Sequence, residues 1–261
     1  MIVIRLKGGH GNQMFQYARG RVLAIKYKTQ LSIDLNYFKN KNFTPREYNL
    51  DQFNIKAKII EKSKIPFLLK YLLPVIKKIN WNGNIYLDGY FQSEKYFKKY
   101  SDIIREDFTL KEIPTKTEDL IKEIKNCNSV CMHIRRGDYV GNKLHQVQDI
   151  YYYKKAIMEL EKKVKIDNIY IFSDDIIWCK ENIKFNYKIT FVNKEELNIT
   201  DVEELCIMTN CKYFIIANSS FSWWGAWLAP NKEKIVICPE KWYSNESIDT
   251  SDLIPESWIR I

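Results

Sequence analysis

Ser129-Val130-Cys131-Met132-His133-Ile134-Arg135-Arg136-Gly137-Asp138-Tyr139 joins an apolar run to a knot of charge. The run from Asn128 to Ile134 predicts a buried strand. Neighbouring residues of a strand point to opposite faces, so the two arginines cannot both look out from one flat surface. Arginine is also a specific choice, because its planar fork suits two-point binding of phosphate or carboxylate. The pattern recurs downstream. Asn168 to Phe172 predicts a strand that stops at Ser173-Asp174-Asp175, and Lys212 to Ala217 predicts one that stops at Asn218-Ser219-Ser220. Shorter strands are expected at Ile189–Val192 and Lys234–Cys238. Helices are expected at Ile150–Lys165, Asp201–Thr209 and Phe221–Leu228. Continuous apolar strands alternating with helices predict a parallel sheet covered on both faces.

Ligands of open α/β sheets bind at the carboxyl ends of strands, so one crevice would collect all three polar clusters. Each cluster has a bland reading too. The arginine run fits a surface ion-pair knot, Ser-Asp-Asp fits a helix cap, and Asn-Ser-Ser before an apolar helix fits an N-cap. Their joint placement favours a site. N–H groups at a helix start stabilise an anion, and with Arg135 or Arg136 alongside they suit a diphosphate. Asp174 or Asp175 suits a guanine edge or a ribose hydroxyl.

The N-terminal part opens as a βα unit: strand Ile2–Leu6, a glycine loop Gly8-Gly9-His10-Gly11-Asn12, and a helix Gln13–Lys26 with Met14, Tyr17, Ala18, Val22 and Ile25 on one face. The loop is neither GxGxxG nor a P-loop, so it is weak evidence for a dinucleotide or ATP. Leu31–Leu35 predicts a strand. Residues 40–85, with Pro45, Pro66 and Pro74, predict helices and loops. Lys111–Lys116 reads as a connector, which divides the chain into domains 1–115 and 116–261.

Composition narrows the class. With 46% hydrophobic residues the chain is globular, and its formal net charge of +9 favours an anionic partner. Residues 56–99 concentrate part of that excess, with ten lysines against Glu61, Asp88 and Glu94. Six cysteines lack paired CxxC spacing and read as mostly buried free thiols suited to a reducing cytosol. Three histidines form no ligand pair, so neither a metal nor another cofactor is expected. The N-terminus does not read as a signal peptide, and no run is long enough to span a bilayer. The nearest candidate is Phe67–Ile79, read as a packing helix or cover, with contact at a membrane surface as its alternative.

Three stretches then carry a resemblance. Gly8 to Ala18 (GGHGNQMFQYA), His133 to Val140 (HIRRGDYV) and Asn218 to Leu228 (NSSFSWWGAWL) resemble the α-1,2-fucosyltransferases of glycosyltransferase family 11, and Tyr151 to Ile157 (YYYKKAI) resembles the segment after the family's arginine motif. The likeness covers nearly the whole chain in order. It implies a GT-B-like α/β fold of two Rossmann-type domains facing a central cleft, the first on the acceptor side and the second binding GDP-fucose. It implies inverting, metal-independent transfer of L-fucose from GDP-β-L-fucose to the 2-hydroxyl of a terminal galactose in an oligosaccharide, lipid-linked in one version, for O-antigen or another surface glycan. It also implies an enzyme of the cytoplasm or the inner membrane face.

By the same carry-over Arg135 and Arg136 hold the diphosphate and His133 helps hold the nucleotide. Asp138 orients the arginines or lines the sugar site. Ser219, Ser220 and Phe221 lie along the diphosphate, Asp174 or Asp175 faces the base or ribose, and Ser173 and Asn218 belong to the same donor site. Gly9, His10, Asn12 and Gln13 fall on the acceptor side. The family usually has an apolar residue where this chain has His10. The acceptor hydroxyl must lose a proton. Asp138 is the first candidate base, His10 and His145 follow, and late proton loss driven by the leaving group is the alternative. Two rival classes remain: a basic nucleic-acid binder, which lacks any helix–turn–helix, RNP or zinc pattern, and a non-catalytic sugar-binding module built on the tryptophans.

Overall fold

A computed structural model describes residues 1–39, 46–60, 65–113, 115–142, 147–245 and 247–261. The chain forms two compact units, Met1–Lys111 and Glu112–Ile261.

The second unit carries the opening motif. Helix α4 (Thr115–Lys125) leads into β6 (Ser129–Ile134), followed by α5 (Ile150–Glu161), β7 (Asn168–Ser173), α6 (Ile176–Asn182), β8 (Lys188–Val192), α7 (Lys194–Leu197), α8 (Asp201–Thr209), β9 (Tyr213–Ile215), α9 (Ser220–Leu228), β10 (Val236–Cys238) and β11 (Ile259–Arg260). The strands form one parallel sheet in the order β11-β10-β9-β6-β7-β8. Read from the β8 edge this is 3-2-1-4-5-6, the doubly wound order, with its reversal between β6 and β9. Every residue of β6 is buried, as a central strand covered on both faces requires. Val130, Met132 and Ile134 pack with Tyr153, Ala156 and Leu160 of α5 and with Ile169 and Ile171 of β7. Each such side chain stabilises the fold by about 1.5–3 kcal/mol when fully buried.

The first unit has β1 (Ile2–Arg5), α1 (His10–Lys26), β2 (Leu31–Asp34), β3 (Lys58–Ile60), α2 (Phe67–Ile76), β4 (Lys78–Trp81), β5 (Asn84–Leu87) and α3 (Ser101–Asp107). Its sheet runs β3-β2-β1-β5-β4, parallel except for the β4–β5 hairpin. The expectation of helices and loops for residues 40–85 holds for α2 and for the irregular stretch 46–57, while 40–45 and 61–64, with Pro45, lie outside the described residues. It misses the strands β3 and β4 and the start of β5. The missed signal is Asn82-Gly83. Both residues have positive φ, 45° and 70°, and they join Trp81 to Asn84 as a two-residue turn. An Asn-Gly pair adopts this geometry at little cost and matches strand twist.

Two further differences concern the motifs. Helix α1 begins at His10, not Gln13, because Gly9 in extended backbone starts it and its carbonyl accepts the Asn12 and Gln13 N–H groups. Helix α5 stops at Glu161, before the lysine run.

The aromatic helix is core. Trp223, Trp224, Trp227, Trp242 and Trp258, five of the seven tryptophans, are at most 8% exposed. Trp223 and Trp227 stack with planes 11° apart, and Trp223 Nε1 donates to the Leu253 carbonyl at 2.9 Å. This removes α9 as a tryptophan sugar platform: its rings pack on one another and on Trp258. All six cysteines are free, four of them buried. Among the described residues no helix is long and apolar enough to cross a membrane. The expected outcome of Trp224→Ala is a loss of about 3–5 kcal/mol in urea unfolding, as for a large aromatic emptied from a core.

Candidate active site

At the end of β6 the chain leaves the sheet through Arg135 and Arg136 into a 3₁₀ turn over Gly137–Tyr139. Strand β7 runs beside it in register, Ile134 opposite Ser173, and delivers Asp174 and Asp175 next to the arginines. Asp174 Oδ1 accepts the backbone N–H of Arg136 at 2.9 Å, and its Oδ2 lies 3.1 Å from Arg135 Nη1. Arg135 also donates from Nε and Nη2 to Asp138 Oδ1, at 3.1 and 2.6 Å. Arg136 donates from Nε to Asp175 Oδ2 at 3.1 Å, and its guanidinium lies 3.9 Å from the centre of the Trp178 ring. Asp175 meanwhile caps α6, accepting the Trp178 N–H at 3.2 Å, and donates its own N–H to Ser173 Oγ at 3.0 Å.

Burial opposes the Arg135 charge, but Asp174 and Asp138 outweigh it and hold the guanidinium pKa above its usual value. Gly137 is the tight point. A β-carbon there would stand 2.3 Å from Asp174 Oδ2, so only glycine lets the turn close over that carboxylate.

The second wall comes from β9. Asn218 is buried; its Nδ2 donates to the Trp242 carbonyl at 2.9 Å, and its carbonyl accepts Tyr139 Oη at 3.1 Å. That last bond ties the arginine turn to the start of α9 across the switch point. Ser219 precedes α9 in extended backbone without capping it by its side chain. The first N–H groups of a helix have no helical partners, and with the helix dipole they favour an anion there. His133 is 4% exposed, its ring 6.0 Å from that of Phe221, and its Nδ1 meets no partner among the described residues. Burial first and the Arg135 charge second push its pKa down to about 3, so it stays neutral near pH 7.

The second unit thus brings together His133, Arg135, Arg136, Asp138, Ser173, Asp174 and Asp175, with Asn218, Ser219, Ser220 and Phe221 on the adjoining strand end. Two features escaped sequence reading. Trp178 backs Arg136, and beside the stacked pair opens a cleft of about 510 Å³ also lined by Gln148, Asp149 and Tyr151. Glu204 of α8 is 8% exposed, and burial pushes its carboxyl up to about 7 within electrostatic reach of Asp174 and Arg135. Its neighbour Glu203 forms a capping box with Thr200, which is what an acid at the start of a helix suggests; nothing in the sequence marks Glu204 as different.

In the first unit the expected acceptor-side residues separate. Gly8 needs its glycine, with φ +76°. Asn12 Oδ1 accepts Gln92 Nε2 at 2.8 Å. Gln13, by contrast, is fully buried, and its amide binds the backbone of Gly8, Glu47 and Asn49, so it braces the loop and faces no ligand. His10 is 6% exposed and packs 5.7 Å from the Phe53 ring, a core position and not an open titratable group. His145 lies outside the described residues. A cluster the sequence reading missed sits at the carboxyl ends of β1, β2 and β5. Arg5 Nη1 and Lys7 Nζ contact buried Asp88 at 2.9 and 2.6 Å, and Arg5 Nε lies 3.8 Å from Asp34. The strand-end rule, applied to Arg5, Asp34 and Asp88 as it was to the second unit, finds it.

Comparison with known proteins now bears on this geometry. Residues 4–261 match the family described as Glycosyl transferase family 11. The chain belongs to that family. It is 35% identical to an alpha-1,2-colitosyltransferase of Escherichia coli, over 100% of this chain and 99% of the relative. It is 33% identical to the Escherichia coli O-antigen biosynthesis glycosyltransferase WbnK, over 98% and 99%. Its fold is similar to that of the NodZ alpha-1,6-fucosyltransferase co-crystallized with GDP, with a TM-score of 0.57 at 14% identity, covering 88% of this chain and 92% of that one. This family-11 glycosyltransferase has a fold of the GT-B type, and its family, not its fold, sets aside the nucleic-acid and passive sugar-binding classes.

Gly137→Ala is expected to cost about 1–3 kcal/mol through overpacking against Asp174, read as a lowered midpoint in thermal unfolding. His133 gives a pH signature. Its folded pKa of about 3 lies below the ordinary 6.5, so its contribution to stability is complete above pH 6.5 and is lost as pH falls toward 3. The stability difference between the native chain and His133→Phe should be flat above pH 6.5 and shift against the native chain on acidification.

Proposed function

We propose that this chain transfers L-fucose from GDP-β-L-fucose to the 2-hydroxyl of a terminal galactose, with inversion, in the synthesis of an O-antigen or another surface glycan. The observation that carries the reading is the pair of guanidinium groups at the switch point, tied through Tyr139 to the start of α9. As the sugar–oxygen bond of the donor breaks, negative charge gathers on the departing diphosphate. Fixed arginines and first-turn N–H groups oppose that charge where it develops, and removing one such donor costs about 10²–10³ in rate. On this reading they do the work a divalent ion does elsewhere.

The side chains divide the task unequally. Arg135 contacts carboxylates through all three of its nitrogens, and Arg136 contacts Asp175 through Nε. Asp138 is the more exposed of the two carboxylates on Arg135, so it is the one a diphosphate displaces. Until then Asp138 orients Arg135; once released it stands beside the diphosphate as the first candidate base, with late proton loss, after the donor bond has largely broken, as the alternative. Ser219, Ser220 and Phe221 flank the diphosphate. Ser173, Asp174 and Asp175 support the nucleoside side, and the cleft beside Arg136 and Trp178 gives it room. Gly9 and Asn12 of the first unit, joined by Gln92, are assigned to the acceptor sugar, whether free or lipid-linked.

The relative named as a colitosyltransferase favours a second reading, the same α-1,2 transfer with a colitosyl donor. Parallel assays with GDP-fucose and the colitosyl donor separate the two.

Calorimetry with GDP, with and without EDTA, tests the core of the proposal; equal binding in both is expected, and no binding sinks it. Arg135→Lys and Arg136→Lys should each lower turnover about 10²–10³-fold in a chain that still unfolds cooperatively, because lysine has no fork. Native turnover in both variants removes the diphosphate assignment.

A further inference from the structure

Helix α2 presents two unlike faces. Leu73 is 2% exposed and packs with Val3, Ile65, Ile79 and Tyr86, and Leu69 joins the same cluster. Tyr71, Leu72, Val75 and Ile76 are instead 66%, 47%, 76% and 55% exposed. At about 100° per residue these four fill one arc of about 140°, with Leu69 and Leu73 just beyond its edge. A helix that shows this much contiguous apolar surface to water marks a site of contact with something else.

The charge around the arc says what that is. The helix contains no acid, and exposed Lys77 and Lys78 follow it directly. Lys77 closes the helix in the left-handed region, φ 59°, so the chain turns sharply there and sets both lysines at the helix end. Residues 56–99 carry ten lysines and three acids. Of those acids, Asp88 is bound by Arg5 and Lys7, Glu94 by Lys98, and Glu61 lies outside the described residues. The surface therefore offers an apolar strip and unbalanced positive charge together. That combination fits a bilayer surface with acidic head groups, where apolar side chains enter the interface and lysines meet phosphate. An apolar patch built for a protein partner would not need the one-sided charge.

We propose that α2 docks this chain on an anionic membrane surface, with Tyr71, Leu72, Val75 and Ile76 entering the interface and Lys77 and Lys78 facing the head groups. The claim stands apart from the donor and acceptor assignments, since none of these residues belongs to them. The test is flotation of the full chain with vesicles of phosphatidylcholine alone and of phosphatidylcholine mixed with phosphatidylglycerol, at low and high salt. Binding is expected only to the anionic vesicles, weakening as salt screens the lysines. Leu72→Ser with Val75→Ser should reduce partitioning at least about tenfold, from the apolar area withdrawn. Lys77→Gln and Lys78→Gln should each reduce it about fivefold. GDP binding and thermal stability of the serine variant should match the native chain, which separates lost docking from lost folding. No partitioning onto anionic vesicles overturns the proposal, as does unchanged partitioning of the serine variant. So does a concentration-dependent dimer that the serine variant abolishes, because a second copy would then be what covers the face.

Discussion

The carboxylate of Asp174 is the joint on which the arginine edge depends. One oxygen takes the Arg136 backbone N–H and the other faces Arg135 Nη1. Without it the backbone of the turn after β6 would lose its bond to the end of β7, and Arg135 would keep one of its two carboxylates, Asp138, three residues away on the same turn. The fit is tight enough that the residue crossing over Asp174 has no side chain at all. A charge pair with one partner shared by a backbone donor is more directional than two flexible side chains meeting in water, which typically contribute little. The two arginines are therefore fixed in direction before any ligand arrives, as preorganised charge stabilisation requires.

Much of this architecture was legible because a doubly wound sheet writes itself plainly. Buried parallel strands are continuous apolar runs, and their ends are where polarity returns abruptly. Ser129–Ile134, Asn168–Ser173 and Tyr213–Ile215 obey that rule, and so the three polar clusters could be assigned to one edge of one sheet before any coordinate was known. What the rule does not give is pairing. It assigned Asp174 or Asp175 to the nucleoside without choosing between them; in the fold Asp174 braces the turn and Arg135, and Asp175 caps α6 and holds Arg136. Which carboxylate meets which guanidinium depends on register and on a cap one residue away, and neither is a property of composition.

The illegible parts have physical causes of the same kind. The strands β3 and β4 lie at the edges of the first sheet and are largely exposed, so they lack the apolar continuity that marks β6, and Lys58 and Lys78 disguise them as loop. His10 and Gln13 sit in a motif that reads as a ligand loop. They fall in the first turn of α1, where the helix starts three residues early on Gly9 and turns them into the protein. The tryptophans misled in the opposite direction, since a ring that suits a sugar face suits a core equally well, and only burial distinguishes the two uses.

The two units repeat one arrangement with opposite electrostatics. In each, a cation follows the central strand and meets an acid delivered by a neighbouring strand: Arg5 and Asp88 in the first, Arg135 and Asp174 in the second. In the first unit Asp88 is 1% exposed and is shared by Arg5 and Lys7, so the charges close on themselves. In the second, Asp138 and Asp175 are each more than a third exposed, and Trp178 backs one guanidinium with a ring and not an acid. A closed pair neutralises itself; an open one, half in water, can exchange an aspartate for a more highly charged anion without leaving a buried charge alone. That difference in exposure, more than the number of arginines, is why the edge of the second sheet is the one suited to a diphosphate.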